Sequence, residues 1–316
     1  MKKIAHKSAI LSPKQEKFAT AIRWVADELK SRCAKKGSKM TQTVSNAADQ
    51  TKRQPPILVE HDSGVATLTF NRPSSINALS EEMLSALQMC LDDIKTDANI
   101  KAVILRSGSA HFCAGHNLKE MTHRRDDDDG GKAYFMALFE TCSTLMQTIV
   151  TLPQPVIAEV KGIATAAGCQ LVAACDLAVA SHGAKFATSG VNIGLFCSTP
   201  MVALSRNLTR KQSMEMLVLG EFLPAERLHE MGLLNRVVPE EQLQDEAMAM
   251  ARIIASKSSS AVKIGKRAFY QQLEMTLDDA YDFAGRVMAE NMLFQDAEAG
   301  IGAFITKKPM PDWTGK

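Results

Sequence analysis

The stretch Gly162–Asp176, GIATAAGCQLVAACD, restricts the possible folds more than any other segment of the chain. It follows the apolar run Val156–Val160, which has the composition of a buried strand. Its first seven residues include nothing larger than one Ile and one Thr, and the residues after them predict a helix over Ala167–Ala174. The segment therefore predicts a strand, a turn of very small residues and a helix, with room for a close approach to the turn's backbone.

A second turn of this kind is FCAGHNLKEM, Phe112–Met121. Backbone N–H groups at the start of a helix have no partner inside the helix and lie at the positive end of its dipole. Two such groups that converge on one point form an oxyanion hole, and small side chains leave a carbonyl oxygen free to reach them. The alternative is that Gly and Ala only permit close packing of helix on sheet, and either turn alone leaves both interpretations open.

Short strands alternate with helices around these two turns, which predicts an α/β core. The predicted strands are Ile57–Glu60 and Val65–Phe70, which form a hairpin, then Lys101–Arg106, Val156–Val160 and Leu177–Ala180. Ser80–Lys95 is a predicted helix with Ser80 as its N-cap. After about Met201 the pattern predicts helices without further strands, at Arg210–Leu219, Ala225–Met231, Glu240–Ser256, Ala261–Glu274 and Leu277–Phe294.

Composition narrows the class of protein. The chain has 316 residues, 46% hydrophobic residues and a net charge of +2, and no apolar run long enough for a membrane span. Seven scattered cysteines without a CxxC pair argue against a disulfide framework and a zinc site. The main body does not have the basic charge of a nucleic-acid-binding protein.

Residues 1–55 form a predicted flexible extension, because residues 1–53 contain thirteen Lys or Arg against four Asp or Glu. Helical spacing of apolar residues in Pro13–Arg32 is compatible with an amphipathic presequence, although its acidic residues are unusual for one. Alternatively, Met40 is the true start. The expected location is the mitochondrial matrix for a eukaryotic source and the cytoplasm for a bacterial source.

Taken together, the motifs resemble the enoyl-CoA hydratase/isomerase (crotonase) superfamily over roughly Ile57 to Lys308. The segments that carry the resemblance are NRPSSINAL, FCAGHNLKEM, PVIAEVKGIATAAGCQLVAACDLAVAS and KFATSGVNIGLF. ATAAGCQL and GVNIGLFCSTP are shared with one particular group of this superfamily. The resemblance implies an α/β fold with a crotonase-like spiral of ββα units over residues 56–255 and a helical trimerisation region over residues 256–316.

The resemblance also implies a site for a CoA thioester, with the thioester oxygen held by the backbone N–H groups of His116 and Ala167. Coenzyme A would enter as part of the substrate, with no permanently bound cofactor and no metal, and the assembly would be a homotrimer or hexamer. The implied substrate and CoA contacts are Ser75, Ile76, Ala114, Asn117, Leu118 and Gly168, with Lys307 near the phosphates. The imidazole of His116 is expected to pack at the mouth of the pocket, with a role as general base as the alternative.

Two positions depart from the family pattern. Hydratases of this family use two glutamates to move protons, and those positions hold Gln170 and Gly190 here. Neither residue exchanges protons near neutral pH, so the two-glutamate hydration is in doubt. Gln170 either orients a water or a polar substrate atom, or pairs with the backbone. At Gly190 a recruited anion or a substrate carboxylate would fill the vacant space, and the latter would suit a decarboxylase.

Three functions stay open from the sequence. The first is a CoA-thioester enzyme of hydratase/isomerase type with altered proton transfer. The second is a crotonase-fold decarboxylase or thioester hydrolase, and the third is a non-catalytic acyl-CoA binder that regulates lipid metabolism. Cys197, near the expected acyl end, is interpreted as a small buried hydrophobic residue, and Thr122–Gly131 as a flexible solvated loop without chemistry.

Overall fold

A computed structural model describes residues Gln54–Lys316. The predictions for residues 1–53, including the presequence helix and the alternative start at Met40, fall outside the described residues. The main sheet has the strand order β1-β2-β3-β4-β6-β9, with β1 and β2 antiparallel and the other neighbours parallel. Its strands are β1 Ile57–Asp62, β2 Val65–Phe70, β3 Ala102–Ser107, β4 Val156–Val160, β6 Leu177–Ser181 and β9 Arg236–Val238.

A second, smaller sheet consists of β5 Ile163–Thr165, β7 Lys185–Ala187 and β8 Leu223–Pro224. Their order in the sheet is β5-β7-β8. The helices of the described chain are α1 Glu81–Thr96, α2 Leu118–His123, α3 Lys132–Thr151, α4 Ala167–Ala174, α5 Ser198–Asn207, α6 Arg210–Leu219, α7 Ala225–Glu230, α8 Leu243–Ala255, α9 Ser259–Gln272, α10 Leu277–Met292 and α11 Gln295–Ile305.

The first elements follow the local sequence signals. Ser63 and Gly64 both have positive φ, as a two-residue hairpin turn requires, and they join β1 to β2. The hydroxyl of Ser80 accepts a hydrogen bond from the Met83 amide at 3.1 Å and caps α1 as expected. α1 then buries an apolar stripe in the main core: Met83, Leu84, Leu87, Leu91 and Ile94.

The prediction that strands end near Met201 is wrong. β8 pairs with β7, and β9 adds a parallel strand beside β6. The side chain of Asn235 accepts a hydrogen bond from the Ala178 amide at 2.7 Å, which holds the start of β9 against β6. These strands are two and three residues long, too short for their sequence to show an alternating pattern. The expected division at residues 255 and 256 falls at the end of α8, while the division into domains itself stays a prediction.

α9 is attached to the core by a buried ion pair. Lys266 donates to the carboxylate of Asp176 at 2.6 Å and to the carbonyl oxygens of Ile149 and Gln154 at 3.0 and 3.1 Å. Tyr270 donates to the same carboxylate at 2.9 Å. Since Asp176 lies just after α4, this network connects the C-terminal helices to the helix that begins at Ala167.

Candidate functional site

The two small-residue turns are in direct contact. Residue Cys113 of the first turn forms a parallel bridge with Ala164 of β5, and the Thr165 amide donates to the Cys113 carbonyl at 3.0 Å. A Cβ atom on Gly168 would lie 2.4 Å from that carbonyl oxygen. No side chain fits at this position, so Gly168 is needed for the contact between α4 and the first turn.

The absence of a side chain on Gly115 leaves the backbone amide at the start of α4 unobstructed. Its φ is +86°, and an added Cβ would lie 3.0 Å from the Cβ of Ala166 and 3.2 Å from the backbone nitrogen of Ala167. The residue immediately before His116 therefore lies beside the Ala167 amide. The structure brings the two predicted oxyanion-hole residues into one neighbourhood.

The amides of His116 and Ala167 donate to no acceptor within residues 54–316. Ala167 is the first residue of α4, where the backbone N–H groups have no partner inside the helix. Ala166, the residue before it, has φ 51° and ψ −119°, an unusual conformation for a residue with a Cβ. Such strain persists where the surrounding structure imposes it, often at functional sites.

The predicted CoA-binding segments lie side by side. The Ala114 amide donates to the carbonyl of Ile76 at 3.0 Å, and the Leu79 amide donates to the carbonyl of Gly115 at 2.8 Å. Ser75 and Ile76 are therefore attached to the first turn. Sequence reasoning gave no role to Asn77, whose buried side chain accepts from the Arg72 amide at 2.9 Å and donates to the Phe112 carbonyl at 3.0 Å.

Asn117 and Leu118 lie at the start of α2, where the side chain of Asn117 accepts from the Lys119 amide and donates to Glu120. Leu118 is exposed. Lys307 follows α11 in a left-handed conformation, and its amide donates to the Phe304 carbonyl at 3.2 Å. These contacts do not join Lys307 to the two turns, and its contact with CoA phosphates stays a prediction.

Gln170 occupies the first of the two glutamate positions. Its side chain is 4% exposed, and its Oε1 atom has no hydrogen-bond partner within the described chain. Gln170 therefore does not pair with the backbone through its side-chain oxygen, which was one of the two roles expected for it. A buried acceptor without a donor is unusual, and it leaves Oε1 available to a donor on a bound molecule.

The expected vacancy at Gly190 is wrong. A Cβ atom on Gly190 would lie 2.3 Å from the carbonyl oxygen of Leu195 and 2.9 Å from the Sγ of Cys197. The chain folds back at this point, because the Leu195 amide donates to the Gly190 carbonyl at 2.9 Å. The volume in which a side chain would begin is therefore filled by the protein itself. Cys197 is buried as expected, and burial raises the pKa of its thiol.

The imidazole of His116 packs edge to face against Phe139 of α3, with ring centroids 5.5 Å apart. Both ring nitrogens are buried, and neither has a partner with hydrogen-bond geometry in the described chain. Burial lowers the pKa of the imidazole, and the backbone of Leu79 raises it to a smaller extent. The ring is therefore neutral near pH 7.

The interpretation of Thr122–Gly131 as one flexible loop is wrong in part. Its first two residues belong to α2, and Arg124–Asp126 form a 3-10 turn. The guanidinium of Arg124 lies 4.8 Å from the ring centroid of Tyr134, and the carboxylate of Asp129 accepts from amides at the start of α3. The segment is ordered by these contacts.

Two kinds of feature were not found in the described part of the chain. Within residues 54–316, no three His, Cys, Asp or Glu side chains come together as a metal site requires. The helices of this region are all too short or too polar to cross a bilayer.

This fold and this pair of turns define a family, and the chain belongs to it: the Enoyl-CoA hydratase/isomerase family model matches residues 60–316. The chain is 44% identical over 269 residues to mitochondrial enoyl-CoA hydratase domain-containing protein 3 of Xenopus laevis, which covers 85% of this chain and 90% of that protein. This match confirms the group to which ATAAGCQL and GVNIGLFCSTP point.

Solved structures of relatives have the same fold. The crystal structure of human enoyl-CoA hydratase domain-containing protein 3 superposes with a TM-score of 0.77 at 43% identity, covering 81% of this chain and 99% of that one. An enoyl-CoA hydratase of Mycobacterium smegmatis superposes with a TM-score of 0.79 at 49% identity, covering 82% and 99%. The crotonase-like fold class is confirmed.

Proposed function

We propose that this protein binds an acyl-CoA thioester and stabilises the enolate of its acyl group with the backbone N–H groups of His116 and Ala167. The observation that carries the proposal is the approach of Gly115 to the Ala167 nitrogen, in a place where neither amide has another acceptor within the described chain. A thioester oxygen between the two turns would satisfy both amides. Each such donor contributes about 2.7–4 kcal/mol to the stabilisation of a transition state.

The rest of the coenzyme would lie along the adjoining backbone. Ile76, which directly follows Ser75, is hydrogen-bonded to Ala114, and this supports a CoA-binding surface formed by these segments together with Asn117, Leu118 and Gly168. Lys307 is the proposed contact for the CoA phosphates. The coenzyme enters and leaves with the substrate, so no permanently bound cofactor is part of the proposal.

The chemistry differs from two-glutamate hydration. Gln170 carries no exchangeable proton near neutral pH, and Gly190 has no side chain. The contact of Gly190 with Leu195 and Cys197 argues against a substrate carboxylate directly beside Gly190, which was one way to obtain a decarboxylase. Isomerisation, thioester hydrolysis and binding without turnover are the outcomes that an assay must separate.

The decisive assay follows the exchange of the C2 hydrogens of a saturated acyl-CoA in D2O by mass spectrometry. We expect wild-type protein to exchange them, because enolate formation needs only the thioester and a proton acceptor. In Gly115→Ala the added Cβ obstructs the Ala167 amide, and the exchange rate falls about 100-fold. Gly194→Ala is the matched control: its φ is +80° but nothing lies within 4 Å, so its rate stays within about threefold of wild type.

The outcomes separate the candidate functions. Binding of saturated acyl-CoA without exchange, and without products from enoyl-CoA, would overturn the proposal in favour of a non-catalytic acyl-CoA binder. Release of free CoA from saturated acyl-CoA would identify a thioester hydrolase. Equal exchange in Gly115→Ala and wild type would show that the two amides do not hold the thioester oxygen.

Assembly and location complete the proposal. Exposed apolar side chains on α10 and α11 support the predicted homotrimer or hexamer, since large exposed apolar patches mark interaction sites. The relatives named mitochondrial are consistent with the mitochondrial matrix for a eukaryotic source.

A further inference from the structure

We propose that the imidazole of His116 moves the proton on the acyl group of the bound thioester, and that it replaces both missing glutamates in this role. This inference rests on the proposed function, because it needs a thioester between the two turns. It assigns two tasks to one residue: the amide holds the oxygen and the ring exchanges the proton.

The imidazole is close to the thioester position by covalent geometry. A histidine ring nitrogen lies within about 6 Å of the amide nitrogen of its own residue, given standard bond lengths. The amide of His116 is one of the two that face the thioester oxygen in the proposed site. The ring is held in place against Phe139 of α3, so it is not free to turn into solvent.

Neither ring nitrogen of His116 forms a hydrogen bond of good geometry within residues 54–316, although the backbone of Leu79 lies near the ring. Buried imidazoles in proteins nearly always form hydrogen bonds, which fix their tautomer. Both nitrogens of His116 are buried and lack a partner with hydrogen-bond geometry within residues 54–316. Packing alone therefore does not explain a histidine here. Gln170, three residues after Ala167, also has a buried oxygen without a partner, so each of the two segments in contact carries a buried polar group without a hydrogen-bond partner in the described chain.

The protonation state of the ring is suitable for a base. Burial holds the pKa of His116 below its ordinary value, which leaves one nitrogen with a lone pair near pH 7. The backbone of Leu79 lies close enough to the ring to raise its pKa, an effect that is smaller than that of burial, and a carbonyl there would favour an N–H on the nitrogen that it faces. The other nitrogen would be the proton acceptor.

The proton transfer balances without any further reactant. The free ring nitrogen takes a proton from C2, and the electrons of the broken C–H bond form the enolate, whose oxygen accepts from the two amides. The imidazolium then exchanges its N–H hydrogen with solvent and delivers a solvent-derived proton to C2, which regenerates the thioester and the neutral ring. For a 3-enoyl thioester it delivers the proton to C4 instead, and the double bond moves from C3–C4 to C2–C3. Gln170 Oε1 can accept a hydrogen bond from the imidazolium or from a polar group of the substrate.

The test keeps the backbone and changes the ring. His116→Gln and His116→Ala retain the amide that is proposed to hold the thioester, and their C2 exchange is measured in D2O together with their dissociation constant for saturated acyl-CoA. We expect exchange to fall at least about 100-fold, as for loss of a general base, while the dissociation constant changes less than about threefold. His111→Gln is the matched control, because His111 also has a buried, unpartnered ring nitrogen but lies against Gly162.

The outcomes distinguish this proposal from the proposed function. Exchange in both His116 variants within threefold of wild type would overturn the role of the imidazole and leave the oxyanion hole intact. An equal loss of exchange in His111→Gln would also overturn it, because the effect would then be structural. If wild-type protein binds the thioester and exchanges nothing, the enolate chemistry fails and this proposal fails with it.

Discussion

Three glycines control how closely the backbone approaches itself around the site. A Cβ on Gly168 would meet the Cys113 carbonyl, one on Gly115 would meet the Ala167 amide, and one on Gly190 would meet the Leu195 carbonyl. The first two contacts allow the two turns to meet. The third leaves no room for a side chain to begin at the position of a family glutamate.

The effect of a side chain at Gly168 can be measured directly. We expect Gly168→Ala to lower the free energy of unfolding by about 1–3 kcal/mol, because overpacking against a backbone carbonyl forces the helix to move. Gly302→Ala is the control, since Gly302 lies within α11 with nothing within 4 Å, and alanine there should be neutral or stabilising. Urea denaturation of both variants checks this, and equal stabilities would contradict it.

Restoring the glutamates should not restore a hydratase. Gln170→Glu keeps nearly the same shape, whereas Gly190→Glu must displace the chain at Leu195 and Cys197. We therefore expect the double variant to be less stable than Gln170→Glu and to hydrate enoyl-CoA no faster than wild type. Thermal unfolding and a hydration assay test both points. A double variant that is as stable as wild type and hydrates enoyl-CoA rapidly would contradict this prediction. It would mean that the backbone around Leu195 and Cys197 can move to accommodate the Glu side chain without loss of stability.

Only some of these residues and their contacts could be predicted from the sequence. The small residues of both turns and the Ser80 cap are local signals, and the structure places them where they were expected. The filled space at Gly190 depends on a carbonyl five residues later, and no residue type marks where a carbonyl will lie. The hydrogen bonds that Asn77 donates to Ser107 and Phe112 span 30 and 35 positions, so they too depend on the complete fold.

The bounds of helices and strands were predicted most accurately where the segment itself has a clear sequence pattern. The bounds of α4 and α6 agree with the prediction, whereas β8 and β9 exist only through pairing with β7 and β6. Among the contacts between elements, the ion pair of Lys266 with Asp176 stands out, because the two side chains are 6% and 13% exposed and join α9 to the end of α4. No local sequence pattern predicts a pair between residues 90 positions apart.

Removing one partner of this pair should be costly. We expect Lys266→Met to lower the free energy of unfolding by about 3–5 kcal/mol, because it leaves the carboxylate of Asp176 buried without its cation. Lys263→Met is the control on the same helix: Lys263 is exposed, and its loss should cost about 0.5 kcal/mol or less. Chemical denaturation measures both. A loss below 1 kcal/mol in Lys266→Met would mean that the Asp176 carboxylate is sufficiently stabilised by Tyr270 and by the Val156 amide, which donates to it at 2.7 Å.

At the scale of the whole molecule, the C-terminal helices carry an apolar surface that is exposed within residues 54–316. Leu277, Tyr281, Met288 and Met292 share one face of α10 by their helical spacing, and all four are exposed. On α11 and just before it, Leu293, Phe304 and Ile305 are 86%, 73% and 71% exposed. No residue of α10 is buried in the described chain. A surface of this kind is expected to be covered by another copy of the chain.

We therefore expect the protein in solution to have three or six times the 34.4 kDa mass of one chain, measured by light scattering on a sizing column.

Tyr281→Lys with Met288→Lys places two charges on the apolar face of α10 and should shift the protein toward monomer, because charge is unfavourable in the core of an interface. Glu290→Lys adds the same net charge on the opposite face of α10 and should leave the mass unchanged. A monomeric wild type at micromolar concentration would refute the assembly, and dissociation by Glu290→Lys alone would attribute the shift to net charge instead of to this face.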